Sequence, residues 1–469
     1  MQGAWERVSL RERAARLGAL REAVVEGRDE VVAAVRADTG KTRTEALLSS
    51  LVPTLEMLRY LERESPRILR ARKMPTPAIY RGSRSRIRYR PRGVVLVVAP
   101  WNNPFQLMLV PAACALAAGN AVLIKPSEET PRTARVLSEL CAGSGVELPV
   151  EVVQGDAGTG QALVDSGPDM VLFTGAASNG PDVLRSAAPH LMPVILELGG
   201  KDPMLVFEDA DLERAANAAV YGAFAHAGQH CVSTKRLYVQ EGVRARLLDL
   251  LEEKTRDLAG KDEWGEVREG PVLEDAREQV REALANGARL LFPDDERRAA
   301  TVPTLLADAT HAMRIMREET FAPVLTVAGF GSEEEAAQLA NDCPYGLNAS
   351  VWSRDVERCE QVVRRLETGN VFVNDVLTNI GNPHLPFGGA KRSGLWHYHG
   401  EQGLLQFCRP VAIMENQGHA EAELGWFPHD EEKADVFDEL IELRYGDTGL
   451  IERAVRWLKL GMRLRRGEE

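Results

Sequence analysis

The sequence predicts an α/β protein built around two largely parallel sheets. Three observations predict it. From residue 93 onward, short β-branched runs alternate with helical stretches. These runs lack the apolar–polar alternation of a half-solvated sheet, so helices are expected on both faces. The chain has 469 residues, more than one ordinary core accommodates and enough for two or three domains.

Residues 9–70 read as helices. Ser9 followed by Glu12 has the capping-box pattern, and Leu10, Ala14, Leu17, Val24 and Val25 recur at helical spacing. Asp38-Thr39-Gly40 supplies a stop, with Gly40 free to turn left-handed. Pro75 and Pro77 mark a break. After it, Arg81, Arg84, Arg86, Arg88, Arg90 and Arg92 alternate with Ile87 and Tyr89, a strand with a basic face. The first series of strands is expected at 94–99, 121–125, 151–154, 170–174 and 193–198, with helices at 111–118, 130–141, 160–166 and 181–188. A second series follows, with strands at 204–207, 237–239, 324–330, 349–352 and 370–374. Its helices include 212–224, 244–258 and 333–341. Near the end, 431–445 reads as an acidic amphipathic helix and 449–466 as a basic one. A basic amphipathic helix can lie on a membrane surface, giving weak peripheral contact. Docking on its own protein or on a partner subunit is the plainer expectation.

The composition is that of a soluble globular protein, with 44% hydrophobic and 27% charged residues. The net charge of −12 argues against bulk binding to nucleic acid, whose phosphates repel an acidic surface. None of the six cysteines forms a Cys-x-x-Cys pair, and His397 and His399 have no third ligand nearby, so no metal site is expected. The N-terminus has no apolar signal region and no run approaches transmembrane length. A reducing cytoplasm is the expected compartment.

Two motifs carry chemistry. Glu197-Leu198-Gly199-Gly200-Lys201 offers a carboxylate at a strand end, and Gly228-Gln229-His230-Cys231 offers a thiol. A thiol is a strong nucleophile at neutral pH, and a carboxylate can activate water against the intermediate it forms. The two glycines imply close backbone approach or a tight turn. Lys201 either sets a local field or is exposed. Asn102, in Ala99-Pro100-Trp101-Asn102-Asn103-Pro104, follows a buried strand, where its amide could face a developing oxyanion or simply make a turn. Thr174-Gly175-Ala176 leads through Gly180 into a helix, a short phosphate-cradling arrangement. Gly158-Thr159-Gly160 reads as a loop. Lys125 and Glu128 sit beyond another strand and could reach ribose hydroxyls.

The joint order of Asn102, Lys125, Gly175, Glu197 and Cys231 closely resembles the aldehyde dehydrogenase superfamily. The resemblance continues through Glu318-Glu319-Thr320-Phe321-Ala322-Pro323, Asn341–Leu347, 369–374 and Pro386-Phe387-Gly388-Gly389, and spans about residues 5–415. It implies a Rossmann-like NAD-binding domain at 1–77 and 93–197 and a catalytic domain at 198–399. A small β oligomerisation element at 78–92 and 400–414 and a helical tail at 415–469 complete it. It further implies that Cys231 attacks an aldehyde, that Asn102 and the Cys231 N–H hold the oxyanion, and that Glu197 activates the hydrolytic water. The implied cofactor is NAD, with NADP possible. Its contacts would come from Pro100, Trp101, Lys125, Glu128, Thr174, Gly175, Ala176, Gly180, Leu198, Glu319 and Phe321. Lys125 and Glu128 would serve the adenosine ribose, Glu319 the nicotinamide ribose, and Glu128 would disfavour a 2′-phosphate. Ala176 departs from the family, where a polar residue is more usual. Thr320 and Ala322 replace the commoner Ile and Gly and are expected to matter little. Tyr398-His399-Gly400-Glu401 and Trp426-Phe427-Pro428 are similar to the class 3 branch, implying a homodimer and a medium- or long-chain aliphatic or aromatic aldehyde. Two alternatives remain open: a CoA-acylating relative, against which Glu197 speaks, and a non-catalytic scaffold on the same fold.

Overall fold

The computed structural model describes residues 2–80, 82–261, 263–418, 421–447, 449 and 455–457. The chain divides into two compact units, Met1–Ala71 with Arg88–Val411, and Arg72–Ile87 with Ala412–Glu469. In the first unit the N-terminal helices are Gln2–Arg7, Leu10–Glu26, Arg28–Thr39, Arg43–Ala46 and Val52–Ile68, with a π-helical turn at Leu47–Leu51. Ser9 caps its helix by accepting from the Glu12 N–H (3.2 Å). A full capping box occurs instead at Thr42 and Glu45. Gly40 ends its helix left-handed, at φ 69°.

Six strands form the first sheet, in spatial order Gly394–Leu395, Val194–Glu197, Met170–Thr174, Val94–Val98, Ala121–Lys125 and Val150–Val152. All pair in parallel except Gly394–Leu395, which runs antiparallel to Val194–Glu197. The helix expected at 111–118 begins earlier, at Pro104. Pro104 fits the first turn, where its missing N–H costs nothing. Every residue of Pro104–Ala118 is buried, so periodicity could not reveal its start. Gly158-Thr159-Gly160 is a helix rather than a loop: Ala157–Asp165 is capped by Asp156, which accepts from the Thr159 N–H (3.0 Å).

Seven strands form the second sheet, in order Arg289–Phe292, Thr304–Ala307, Val324–Phe330, Thr234–Gln240, Asp202–Val206, Asn348–Trp352 and Asn370–Val373. Only the edge strand Arg289–Phe292 is antiparallel. The helices Leu212–Phe224 and Glu333–Asn341 match the sequence expectation, and Glu241–Lys261 extends the one expected at 244–258.

The second unit holds the strand Arg72–Met74, which pairs antiparallel with Ser83–Pro91. Arg84, Arg86, Arg88 and Arg90 lie on the exposed face of Ser83–Pro91, as expected; Arg92 follows the strand and is half-buried, and Arg81 lies outside the described residues. The acidic helix runs Glu431–Tyr445. Most of the basic helix at 449–466 lies outside the described residues. Among the described residues no helix is long and apolar enough to cross a membrane.

Leu116 is fully buried in the helix that follows the Asn102 loop. Leu116→Ala is expected to cost about 2–5 kcal/mol through lost contacts and the cavity left behind. Urea unfolding checks this; an unchanged midpoint would contradict the packing.

Candidate active site

Four residues, Leu198 to Lys201, connect the first sheet to the second. They link the strand Val194–Glu197 to the strand Asp202–Val206. The two glycines are there for space. A Cβ on Gly200 would lie 2.3 Å from the Cys231 carbonyl oxygen, and one on Gly199 would lie 2.3 Å from Glu319 Oε2. Neither glycine is left-handed, so close approach, not a tight turn, explains both. The contact brings the segment that follows Glu197 against the backbone of Cys231.

The thiol arrives on a constrained loop. After the helix Leu212–Phe224, three successive residues are left-handed: His226 (φ 48°), Ala227 (54°) and Gly228 (66°). Such φ values cost non-glycine residues about 1–3 kcal/mol each and need support. Here the His226 N–H donates to Glu45 Oε1 (2.6 Å) and the Ala227 N–H to the Trp264 carbonyl (2.7 Å). Lys235 Nζ donates to the carbonyls of Gly228 (2.9 Å) and Ala322 (2.7 Å). The Gln229 side chain donates to the carbonyls of His226 and Glu266 and accepts from the Arg268 N–H. Cys231 follows, half-buried.

A cavity of about 530 Å³ contains these groups. Asn102, Glu197 and Cys231 line it together with Pro100, Trp101, Lys125, Glu128, Thr174, Gly175, Ala176, Leu198, Glu319 and Phe321. Gly180 stands behind the lining. A Cβ there would lie 2.8 Å from Leu198 Cδ1, so its role is to seat Leu198. Sequence reasoning missed the apolar wall of Val164, Phe173 and Val183, and Gly160 beside Lys125. Asp156, a helix N-cap residue ahead of Gly160, was the available signal. Trp101 packs edge-to-face on Phe321, with ring centroids 5.8 Å apart, and the Arg268 guanidinium lies 5.0 Å from its ring centroid.

The Asn102 amide nitrogen donates to the Gln229 carbonyl (3.0 Å), which leaves its second hydrogen for an oxygen in the cavity. Both Glu197 carboxyl oxygens are buried without a hydrogen-bond partner among the described residues. Burial raises the Glu197 pKa well above the usual carboxylate range. The Cys231 thiol is also pushed up, by burial first and then by the charges of Asp202, Glu319 and Glu197. Lys201 is buried, and burial, then Lys235 and Arg236, push its pKa down. Its Nζ donates to Thr320 Oγ1 (2.5 Å), which donates in turn to Gln279 Oε1 (2.5 Å). Thr320 therefore holds a buried lysine that an isoleucine could not, contrary to the expectation that it matters little. Among the described residues, no group of three His, Cys, Asp or Glu side chains could hold a metal ion.

These shifts fix the thiol's pH response. With its pKa raised, Cys231 is protonated at neutral pH, and the thiolate is the reactive form. Alkylation of Cys231 by iodoacetamide in the free protein is expected to rise about tenfold per pH unit from pH 7 to 9 without a plateau. Peptide mapping measures the rate; a plateau near neutrality would contradict the burial.

Comparison with known proteins agrees with this geometry. The aldehyde dehydrogenase family matches residues 1–413. A 4,4'-diapolycopene aldehyde oxidase from Methylomonas sp is 42% identical over 463 residues, covering 96% of this chain and 86% of that protein. A 4,4'-diaponeurosporen-aldehyde dehydrogenase from Staphylococcus aureus is 33% identical, covering 83% and 85%. A crystal structure of betaine aldehyde dehydrogenase from Staphylococcus aureus in complex with NAD+ superposes with a TM-score of 0.83 at 29% identity, covering 91% of this chain and 86% of that one. The chain belongs to the aldehyde dehydrogenase family.

Proposed function

We propose that this protein oxidises a long, apolar aldehyde to its carboxylic acid through a thioester on Cys231, with NAD as the oxidant. One observation carries the reading: a single cavity is lined by a thiol, a free amide hydrogen and an unpartnered carboxyl. The Cys231 thiol loses its proton to water, its sulfur attacks the aldehyde carbon, and the charge that develops on oxygen meets the second Nδ2 hydrogen of Asn102. One such donor is worth about 3 kcal/mol in a water-poor site.

The remaining lining fits a dinucleotide. Lys125 Nζ lies 3.1 Å from Glu128 Oε2, so donor and acceptor stand together for ribose hydroxyls. Glu319 would serve the second ribose, and Val164, Phe173 and Val183 offer an apolar wall to a base. Glu128 is held below the usual carboxylate range by a backbone hydrogen bond and by Lys125, so it carries a charge that repels a 2′-phosphate. This favours NAD over NADP. NAD held by these residues would supply the hydride acceptor needed to take the Cys231 thiohemiacetal to the thioester. Glu197 then takes a proton from water, the water oxygen attacks the thioester, and Cys231 departs as the acid is released. Burial makes the Glu197 carboxylate a stronger base than an exposed one, which favours taking a proton from water.

Two features support a long apolar substrate. Cys231 packs against the main apolar core of the first unit. Two relatives are named for diapolycopene and diaponeurosporen aldehydes. The proposed assembly is a homodimer, supported by the edge position of the strand Cys408–Asn416 in its sheet.

A panel of aldehydes of increasing chain length, followed by NADH absorbance, tests the reading. kcat/KM is expected to rise about fourfold per methylene until the apolar surface is filled, since each buried CH₂ is worth about 0.8 kcal/mol. Cys231→Ala is expected to abolish NADH formation with every member. Preference for betaine aldehyde over the long chains would overturn the substrate class, and turnover by Cys231→Ala would overturn the mechanism.

A further inference from the structure

Asn103 occupies the N-cap position of the helix Pro104–Ala118, yet its side chain makes no capping hydrogen bond. Asparagine there normally caps, at a gain of about 1 kcal/mol. Both ends of this amide are engaged elsewhere. Its Oδ1 accepts from Lys41 Nζ, and its Nδ2 lies 3.0 Å from His230 Nδ1. His230 adjoins Cys231, and Asn103 adjoins Asn102.

Lys41 is itself unusual. It is 2% exposed, and it donates to two neutral groups, the Asn103 amide oxygen and Ser49 Oγ (2.7 Å). The Ser49 hydroxyl spends its hydrogen on the Glu45 carbonyl (2.7 Å), so it can only accept from the lysine. Ser49 stands in the π-helical turn Leu47–Leu51, a widening that in helices often accompanies a functional site. The same segment reaches the nucleophile loop a second time, through Glu45 Oε1 on the His226 N–H. Burial pushes the Lys41 pKa down to about 7 against the opposing charge of Glu45, and packing alone does not call for a lysine there.

The donor chemistry fixes every proton in the chain of contacts. Ser49 can only accept, and Lys41 Nζ donates both to it and to Asn103, whose facing atom is therefore the oxygen. The Asn103 amide nitrogen therefore faces His230, whose Nδ1 must accept. The imidazole proton then sits on Nε2. Were Nδ1 protonated, two N–H groups would oppose each other and the tie would break.

We propose that Lys41 is a positioning residue for acylation: through Asn103 it holds His230 in the Nε2–H tautomer and locks the Asn102 loop to the Cys231 loop. The inference rests on the reading of Cys231 as the nucleophile. Asn102 to the Gln229 carbonyl and Asn103 to His230 then form two parallel ties between the loops, and Lys41 sets the second.

Single-turnover NADH formation tests the proposal with Lys41→Met, Asn103→Leu and the double variant. Each single variant is expected to slow acylation about 100-fold, the scale of a misplacement near 1 Å. The NAD dissociation constant should stay within about twofold, because neither residue lines the cavity. The double variant should be no slower than the slower single one, because the lysine acts through the amide. Wild-type acylation in Lys41→Met, or effects that multiply in the double variant, would overturn the proposal. If Lys41→Met fails to fold, Asn103→Leu alone decides, by slowed acylation with NAD affinity retained. Cys231→Ala separates the two readings. Turnover there refutes the nucleophile, whereas its silence beside a fully active Lys41→Met refutes only the role of Lys41.

Discussion

The carbonyl oxygen of Cys231 fills the space that a side chain at position 200 would need, 2.3 Å from where its Cβ would lie. This contact joins the two halves of the site. Glu197 ends a strand of the six-stranded sheet, and Cys231 precedes a strand of the seven-stranded sheet. Only a residue with no Cβ allows the two backbones to approach so closely. The adjacent Gly199 does the same for Glu319, whose Oε1 also accepts from the Gly200 N–H (3.3 Å). One short connection thus places a carboxyl, a thiol and a second carboxyl around the same space.

That proximity has an electrostatic consequence. Glu197, Asp202 and Glu319 all favour the neutral thiol, and burial raises each of them, Glu319 to about 7 and Asp202 to about 8. Burial disfavours the charged form of each of these groups. Proton transfer between thiol, carboxyl and water is then easier than accumulation of anions, as a sequence of nucleophilic attack and hydrolysis requires. The cations nearby are committed to structure. Lys201 is bound through Thr320, Lys235 holds the Gly228 and Ala322 carbonyls, and Arg236 Nε donates to the Lys201 carbonyl (2.8 Å). They keep the loops in place without pairing directly with the reactive groups.

Much of this was legible in the sequence. The strands at 121–125, 170–174 and 324–330 and the helices at 212–224, 333–341 and 431–445 were readable because turn residues or clear periodicity bound them. The start of Pro104–Ala118 was not, because a helix buried on every side has no polar face to mark its register. Glu197, Cys231 and Asn102 could be singled out from residue type and position. Their convergence on one site was implied by the family resemblance and not by any local pattern, since it depends on a contact between residues 200 and 231. Lys41, Asn103 and His230 were invisible for the same reason. Each has an ordinary local reading, as a residue after a helix stop, a turn asparagine and a loop histidine. Only the tertiary structure brings them together.

The central claim is that Cys231 carries the acyl group and Glu197 releases it. Intact-protein mass spectrometry of Glu197→Gln, mixed with NAD and a long-chain aldehyde, tests it most directly. Loss of the base should slow hydrolysis about 10²–10⁴-fold. The protein should therefore accumulate one added acyl group, and peptide mapping should place it on Cys231. An unmodified protein that still produces NADH, or an acyl group on another cysteine, would contradict the account.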